Sequence, residues 1–263
     1  MAVEPLGRIR AVLFDMDGLL IDSERIYTDV VNEVLKPYGK EQTWDIKSKL
    51  MGQPERAATC MYLPLTTVVL LSSLWPPHPD SEEDKQRGFG SECPFTIDEF
   101  LKARNDRLLP AFEQVQPMPG AELEIKSSAN TRLFAPFGER VICGDDATIE
   151  RGKPFPDIFL TAARHGLGLQ HTDEGRAWLE GVREPGANAD HELKGAEGEI
   201  LVFEDALPGV QAGLAAGMKV VWVPDPNLVA VTREGSSVGA HQELKSLLDF
   251  RPELWGLPPF EDP

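Results

Sequence analysis

Three cysteines in 263 residues (Cys60, Cys93 and Cys143) are too few and too scattered for a disulfide framework. A reducing compartment, the cytoplasm, is expected. Basic residues are scarce as well: 26 Lys and Arg stand against 43 Asp and Glu, a net charge of −17. A surface of that sign repels phosphate polymers and anionic lipid, which excludes a nucleic-acid polymer and a membrane as partners. A small phosphorylated metabolite stays acceptable, because one bound cation reverses the field locally. The five histidines (His78, His165, His171, His191 and His241) fall at no metal-ligand spacing. The most apolar window, 61–75, is too short for a bilayer and contains Pro64 with several Ser and Thr. The first residues include Glu4 and no apolar stretch, so no secretory leader is expected. What remains is a monomeric globular chain, long enough for one large domain or a core with a satellite.

The stretch that organises this chain runs from Val12 to Glu24. Val12, Leu13 and Phe14 form a short apolar run of the kind a buried parallel strand needs, and it leads directly into Asp15 and Asp17, then Gly18. Side chains alternate along a strand, so Asp15 and Asp17 project on one side at its carboxyl end. Ligands of open α/β sheets bind in that crevice. Two converging carboxylates suit a hard cation such as Mg²⁺, with one placed to attack phosphorus and the other to move a proton. Alone, an Asp-x-Asp-Gly is an ordinary turn. The rest of the chain decides otherwise.

Asp22 or Ser23 is placed to cap a helix with Ile26, Val30, Val31, Val34 and Leu35 at helical spacing, stopped by Pro37 and Gly39. A weaker helical pattern covers 45–51, and Thr96 to Glu99 is a capping box for a helix through Leu109. Between them, 61–94 has no period of two or of 3.6 and reads as a flexible surface insertion. The second half alternates strand and helix. Arg140 to Cys143 and Ile200 to Phe203 read as strands, the first ending in Gly144, Asp145 and Asp146, the second in Glu204 and Asp205. Lys153 precedes a helix closed by Gly166; a polar loop follows from His171 to Gly198. Pro208 and Gly209 open the next helix, Lys219 to Val223 is a third strand, and a short helix is expected over 243–249. The alternation implies a doubly wound parallel α/β sheet, with the core at 1–22 and 117–263 and a smaller all-helical domain at 23–116.

These residues resemble the haloacid dehalogenase superfamily in its helical-cap branch, nearest to pseudouridine-5'-phosphatase-like and β-phosphoglucomutase-like proteins. Asp15 to Glu24 is similar to that family's first motif, Arg151-Gly152-Lys153-Pro154 with Pro156-Asp157 to its third, and Phe203 to Ala206 with Pro208-Gly209 to its fourth. The resemblance implies a Rossmann-like core with a cap and a Mg²⁺-dependent phosphatase acting on a small nucleotide or sugar phosphate. It implies Asp15 as nucleophile, Asp17 as acid and base, and Lys153 as the cation on phosphate and nucleophile. Mg²⁺ would be held by Asp15, the Asp17 carbonyl and Asp205, with Glu204 in support. Asp145 and Asp146 also match an acidic position near the metal. Two alternatives stay open, a sugar-phosphate mutase using the same aspartyl-phosphate and a catalytically inactive binding protein.

One motif is missing. The family's second motif, an apolar strand ending in a phosphate-binding Ser or Thr, belongs between Gly120 and Val141, where twenty positions cannot hold a strand, two helices and their loops. Ser127 or Ser128 would have to stand in for the hydroxyl. The insertion at 61–94 and the deletion at 121–140 together suggest an altered gene product. The Val141 to Cys143 strand is expected to move in beside the Asp15 strand.

Overall fold

The computed structural model describes residues 8–51, 62–121, 137, 140–144, 146–167, 196–232 and 239–260. Its centre is a four-stranded sheet of β1 (Ala11–Phe14), β2 (Ile200–Glu204), β3 (Lys219–Trp222) and β4 (Gln242–Glu243), all parallel and in that order. Ala11 faces Ile200 and Phe14 faces Phe203; Glu204 faces Trp222. The period of two divides β2 between two cores. Leu201 and Phe203 join Leu20, Ile26, Val221 and Trp255, whereas Ile200 and Val202 join Leu13, Phe159, Val210 and Val220 on the opposite face. With both faces covered, every residue of β2 is buried, which is why its sequence is a continuous apolar run.

The helical part begins with α1 (Ser23–Leu35) and α2 (Trp44–Met51). It continues through α3 (Tyr62–Leu74), α4 (Glu82–Arg87) and α5 (Ile97–Phe112). The Thr96 capping box forms as expected: Glu99 N–H donates to Thr96 Oγ1 at 3.2 Å and Thr96 N–H to Glu99 Oε2 at 2.8 Å. α1 belongs to two cores at once. Ile26 and Val30 pack under the sheet, while Val31, Val34 and Leu35 pack with Leu70, Leu71, Trp75, Phe89 and Phe100 in a separate helical core. Each fully buried apolar side chain there contributes about 1.5–3 kcal/mol. On the other face of the sheet lie α6 (Asp157–Thr161), extended by a π-helical turn over Ala162–Gly166, and α7 (Leu207–Ala215). α8 (Pro226–Thr232) packs against α2. The chain is thus an α/β protein with a doubly covered parallel sheet and a smaller helical cap.

Three expectations are corrected. First, the described part of 61–94 is not an aperiodic loop but α3, α4 and packed connections. Its order is tertiary: the buried Asp84 carboxylate accepts from His78 N–H at 2.8 Å and Ser91 N–H at 3.0 Å, and Trp75, Phe89 and Cys93 fill the cap core. Those backbone hydrogen bonds, led by that of His78, hold the Asp84 carboxyl below its ordinary range. Second, Val141 to Cys143 is not a strand. Val141 and Ile142 have strand propensity but, among the described residues, no ladder to join, and Val141 is 42 % exposed. Among the described residues the outer edge of β1 therefore carries no strand. A cavity of about 540 Å³, walled by Phe14, Ile142, Phe159 and Leu167 among others, runs along it. Third, 243–249 is not one helix; β4 is followed by a 3₁₀ turn at Leu247–Asp249. Ser127, Ser128, Asp145 and most of the expected 171–198 loop lie outside the described residues.

Candidate active site

β1 and β2 deliver the carboxylates. Asp15 directly follows β1 and its N–H donates to Phe203 O at 3.0 Å, so the pairing carries on to the end of β2. Glu204 is the last residue of β2 and Asp205 the next. Carboxylate oxygens of Asp15, Glu204 and Asp205 all lie within 4.8 Å of one another. Lys153 reaches in from the loop before α6, donating to Asp15 Oδ1 at 2.5 Å and to Glu204 Oε1. The Trp222 indole N–H donates to the Asp205 carbonyl at 2.8 Å and Val223 N–H to the Glu204 carbonyl at 2.7 Å, which fixes the turn carrying both acids.

Two glycines make room for this crowding. Gly18 has φ +81°, and a β-carbon there would lie 2.4 Å from Asp205 Oδ2. Gly209, in the first turn of α7, leaves space for the fully buried Glu204 carboxylate; a β-carbon would stand 1.7 Å from Glu204 Oε1. Glu204 Oε2 accepts from Ala206 N–H at 2.9 Å, so the acid also meets the positive end of α7.

The loop bearing Lys153 is held by an ion pair. Arg151 donates to Asp157 through its backbone N–H at 3.1 Å, Nε at 3.1 Å and Nη2 at 2.6 Å, and Asp157 is fully buried. Such a fork fixes geometry as well as charge. Asp17 sits beside Ser23, whose hydroxyl donates to its carboxyl and accepts from Gly18 N–H at 3.1 Å.

The electrostatics follow from three acids around one ammonium. Burial works against the Lys153 charge, but Asp15 and Glu204 outweigh it and raise the lysine's pKa. Burial pushes Glu204 up to about 7 despite Lys153. The Asp205 pKa is raised well above its ordinary value, first by burial, then by the charges of Glu204, Asp15 and Glu24. Asp17 is raised mainly by burial, with Asp15 and Glu24 adding to it and the Ser23 hydrogen bond opposing. Hard oxygen donors with surplus negative charge fit a small divalent cation.

Asp15, Lys153, Glu204 and Asp205 are thus brought together, with Asp17 outside the cluster but close enough to feel the Asp15 charge. Asp146 is not part of the cluster, because its Oδ1 accepts from Thr148 N–H at 2.9 Å and Thr148 Oγ1 at 2.7 Å. Asp22 makes no side-chain cap on α1 and pairs with Arg25 at 2.6 Å. Sequence reasoning misses Ser23 as a partner of Asp17, Asp157 as the anchor of the Lys153 loop, and Gly209 as the seat of Glu204. Their signals are an acid in the Pro-rich turn after Lys153 and a Gly in the first turn of the helix after Asp205.

No family model matches the chain. It is 34 % identical over 282 aligned positions to the probable pseudouridine-5'-phosphatase of Drosophila melanogaster, spanning all of both chains. Those positions exceed the 263 residues by 19, so at least that many residues of the relative have no counterpart here. It is 32 % identical to (DL)-glycerol-3-phosphatase 2 of Arabidopsis thaliana, over 97 % of this chain and 95 % of that one. A HAD family hydrolase structure from Deinococcus radiodurans, with bound phosphate and sodium, has the same fold with TM-score 0.56 and 22 % identity, over 96 % of this chain and 99 % of that one. The chain belongs to the haloacid dehalogenase superfamily, among its phosphomonoester hydrolases.

Proposed function

We propose that the chain hydrolyses a small phosphomonoester through a covalent intermediate on Asp15. The observation that carries this is the meeting of Asp15 with Lys153, Glu204 and Asp205 at the carboxyl ends of β1 and β2. The Asp15 carboxylate attacks phosphorus, the bond to the leaving oxygen breaks, and Asp17 gives that oxygen its proton. Burial keeps Asp17 protonated above its ordinary range, which suits that step. Asp17 then takes a proton from water, which attacks the aspartyl-phosphate; the bond to Asp15 breaks and inorganic phosphate leaves. Lys153 holds Asp15 in line and offsets charge on the transferring group. Asp15, the Asp17 carbonyl and Asp205 would hold a Mg²⁺ ion, with Glu204 in support. That ion, when bound, offsets the repulsion between the acids and the phosphate.

The substrates named for the relatives, glycerol 3-phosphate and pseudouridine 5'-phosphate, support a reading of the substrate as a polyol, sugar or nucleoside monophosphate. Residues 23–116 would form the cap domain over the site. The test is a phosphate-release screen over these esters with MgCl₂ and with EDTA. Release that needs Mg²⁺ and no bisphosphate activator supports the hydrolase; release equal in EDTA removes the metal from the proposal.

A further inference from the structure

A second lysine stands one residue away from this cluster. Lys47, on α2, is 5 % exposed, and its Nζ donates to Thr28 Oγ1 at 2.8 Å and to the Glu24 carbonyl at 3.0 Å. It also pairs with Glu24 Oε2 at 2.9 Å, and the Trp44 ring covers it at 4.6 Å. Glu24 in turn stands against the site. Its Cγ and the Asp205 Oδ2 flank the point a Gly18 β-carbon would occupy, at 3.0 and 2.4 Å. The two acids share the wall of one cavity with Trp44. Arg25, the neighbouring cation, turns to Asp22 and Asp29 instead.

A buried ion pair adds little stability, because desolvation of both charges consumes the attraction between them. An apolar residue at position 47 would anchor α2 as well. What the lysine does in addition is hold a fourth carboxylate in a fixed pair beside the cluster. We propose that Lys47 sets how tightly the cluster holds its cation, by keeping Glu24 paired and out of the coordination set. The inference rests on the metal reading above and concerns a positioning residue, since Lys47 touches none of the reacting atoms.

The sign of the effect separates this role from a structural one. Replacing Lys47 by Met leaves the Glu24 charge unopposed beside Asp205, so Mg²⁺ binds more tightly, by roughly tenfold. A lysine that only anchors α2 would, when lost, weaken Mg²⁺ binding or leave it unchanged. Titration calorimetry with MgCl₂ on the full chain reads this directly. Lys47→Met is expected to tighten binding, Lys47→Arg to leave it near the original value, and Lys47→Met with Glu24→Gln to return it there. Glu24→Gln alone, which keeps the lysine, is expected to weaken binding and serves if Lys47→Met does not fold. Unchanged or weaker binding in Lys47→Met, or unchanged binding in Glu24→Gln, overturns the proposal. No Mg²⁺ binding by the unaltered chain overturns the metal reading itself, and this inference with it.

Discussion

The two edges of β1 are unequal. On the inner edge β2 pairs along the whole strand and then supplies Glu204 and Asp205. On the outer edge no strand pairs among the described residues, and a largely apolar cavity of about 540 Å³ reaches as far as Asp15, Asp17 and Lys153. The difference separates charge from cradle. Acids and lysine come from β1, β2 and the loop before α6, with β3 bracing the turn that carries Glu204 and Asp205. The segment where the resemblance expects a phosphate-binding hydroxyl, 121–140, lies almost wholly outside the described residues. Among the described residues the charged groups therefore gather on the paired side of β1.

The largest expected effect tests the closed side. Asp15→Asn keeps the shape of the side chain and removes the nucleophile, so phosphate release should vanish while circular dichroism is unchanged. Substantial turnover by that variant would remove Asp15 from the mechanism. The next tests the open side. Replacing 121–140 with a longer segment that contains an apolar strand ending in serine should raise kcat by ~10²–10³, the usual worth of one preorganised oxyanion donor. Equal rates would mean that the open edge costs nothing.

Stability offers a third contrast, between the cap core and the open edge. Leu71 on α3 is fully buried, so Leu71→Ala should cost about 2–5 kcal/mol in urea unfolding. Val141→Ala, at a position 42 % exposed, should stay within about 0.5 kcal/mol. Similar losses at both positions would show that the open edge is packed after all.

What is legible in the sequence is what local pattern decides. Val12 to Phe14 and Ile200 to Phe203 are apolar runs ending in acids, so the strands and the acids that meet at their ends can be read together. Lys153 is legible from its place before Pro154 and a helix. What is hidden depends on partners distant in sequence. The order of 62–94 comes from Asp84 binding two backbone N–H groups and from Leu70, Trp75 and Phe89 meeting Val34 and Phe100, none of which has a period. Lys47 reads as a helix-surface lysine until Glu24 and Thr28 are seen around it. Val141 and Ile142 err the other way: their propensity is real, but a strand needs a ladder, and none among the described residues reaches them.

The smallest effect is a dependence on pH that the closed side alone should show. Glu204 and Asp205 are pushed up by burial, Glu204 from 4.5 to about 7. Folded, they bind protons more tightly than when unfolded, so their contribution favours the folded state below the ordinary carboxylate range. It is lost as pH rises through that window, from about 4.5 to about 7. Other acids work in the opposite direction. Asp84, Glu99 and Asp146 are held below their ordinary values by hydrogen bonds, so their stabilisation appears as pH rises. The bare melting temperature therefore mixes both signs. The difference between melting temperatures in MgCl₂ and in EDTA isolates the cluster, because the distant acids cancel. A cation bound there competes with protons on the same oxygens, so this difference should grow across the window and level off above it. Calorimetric scans at stepped pH measure it. A difference that stays constant from the acid to the neutral end would mean that the protons of Glu204 and Asp205 and the metal do not compete, and that the cation sits elsewhere.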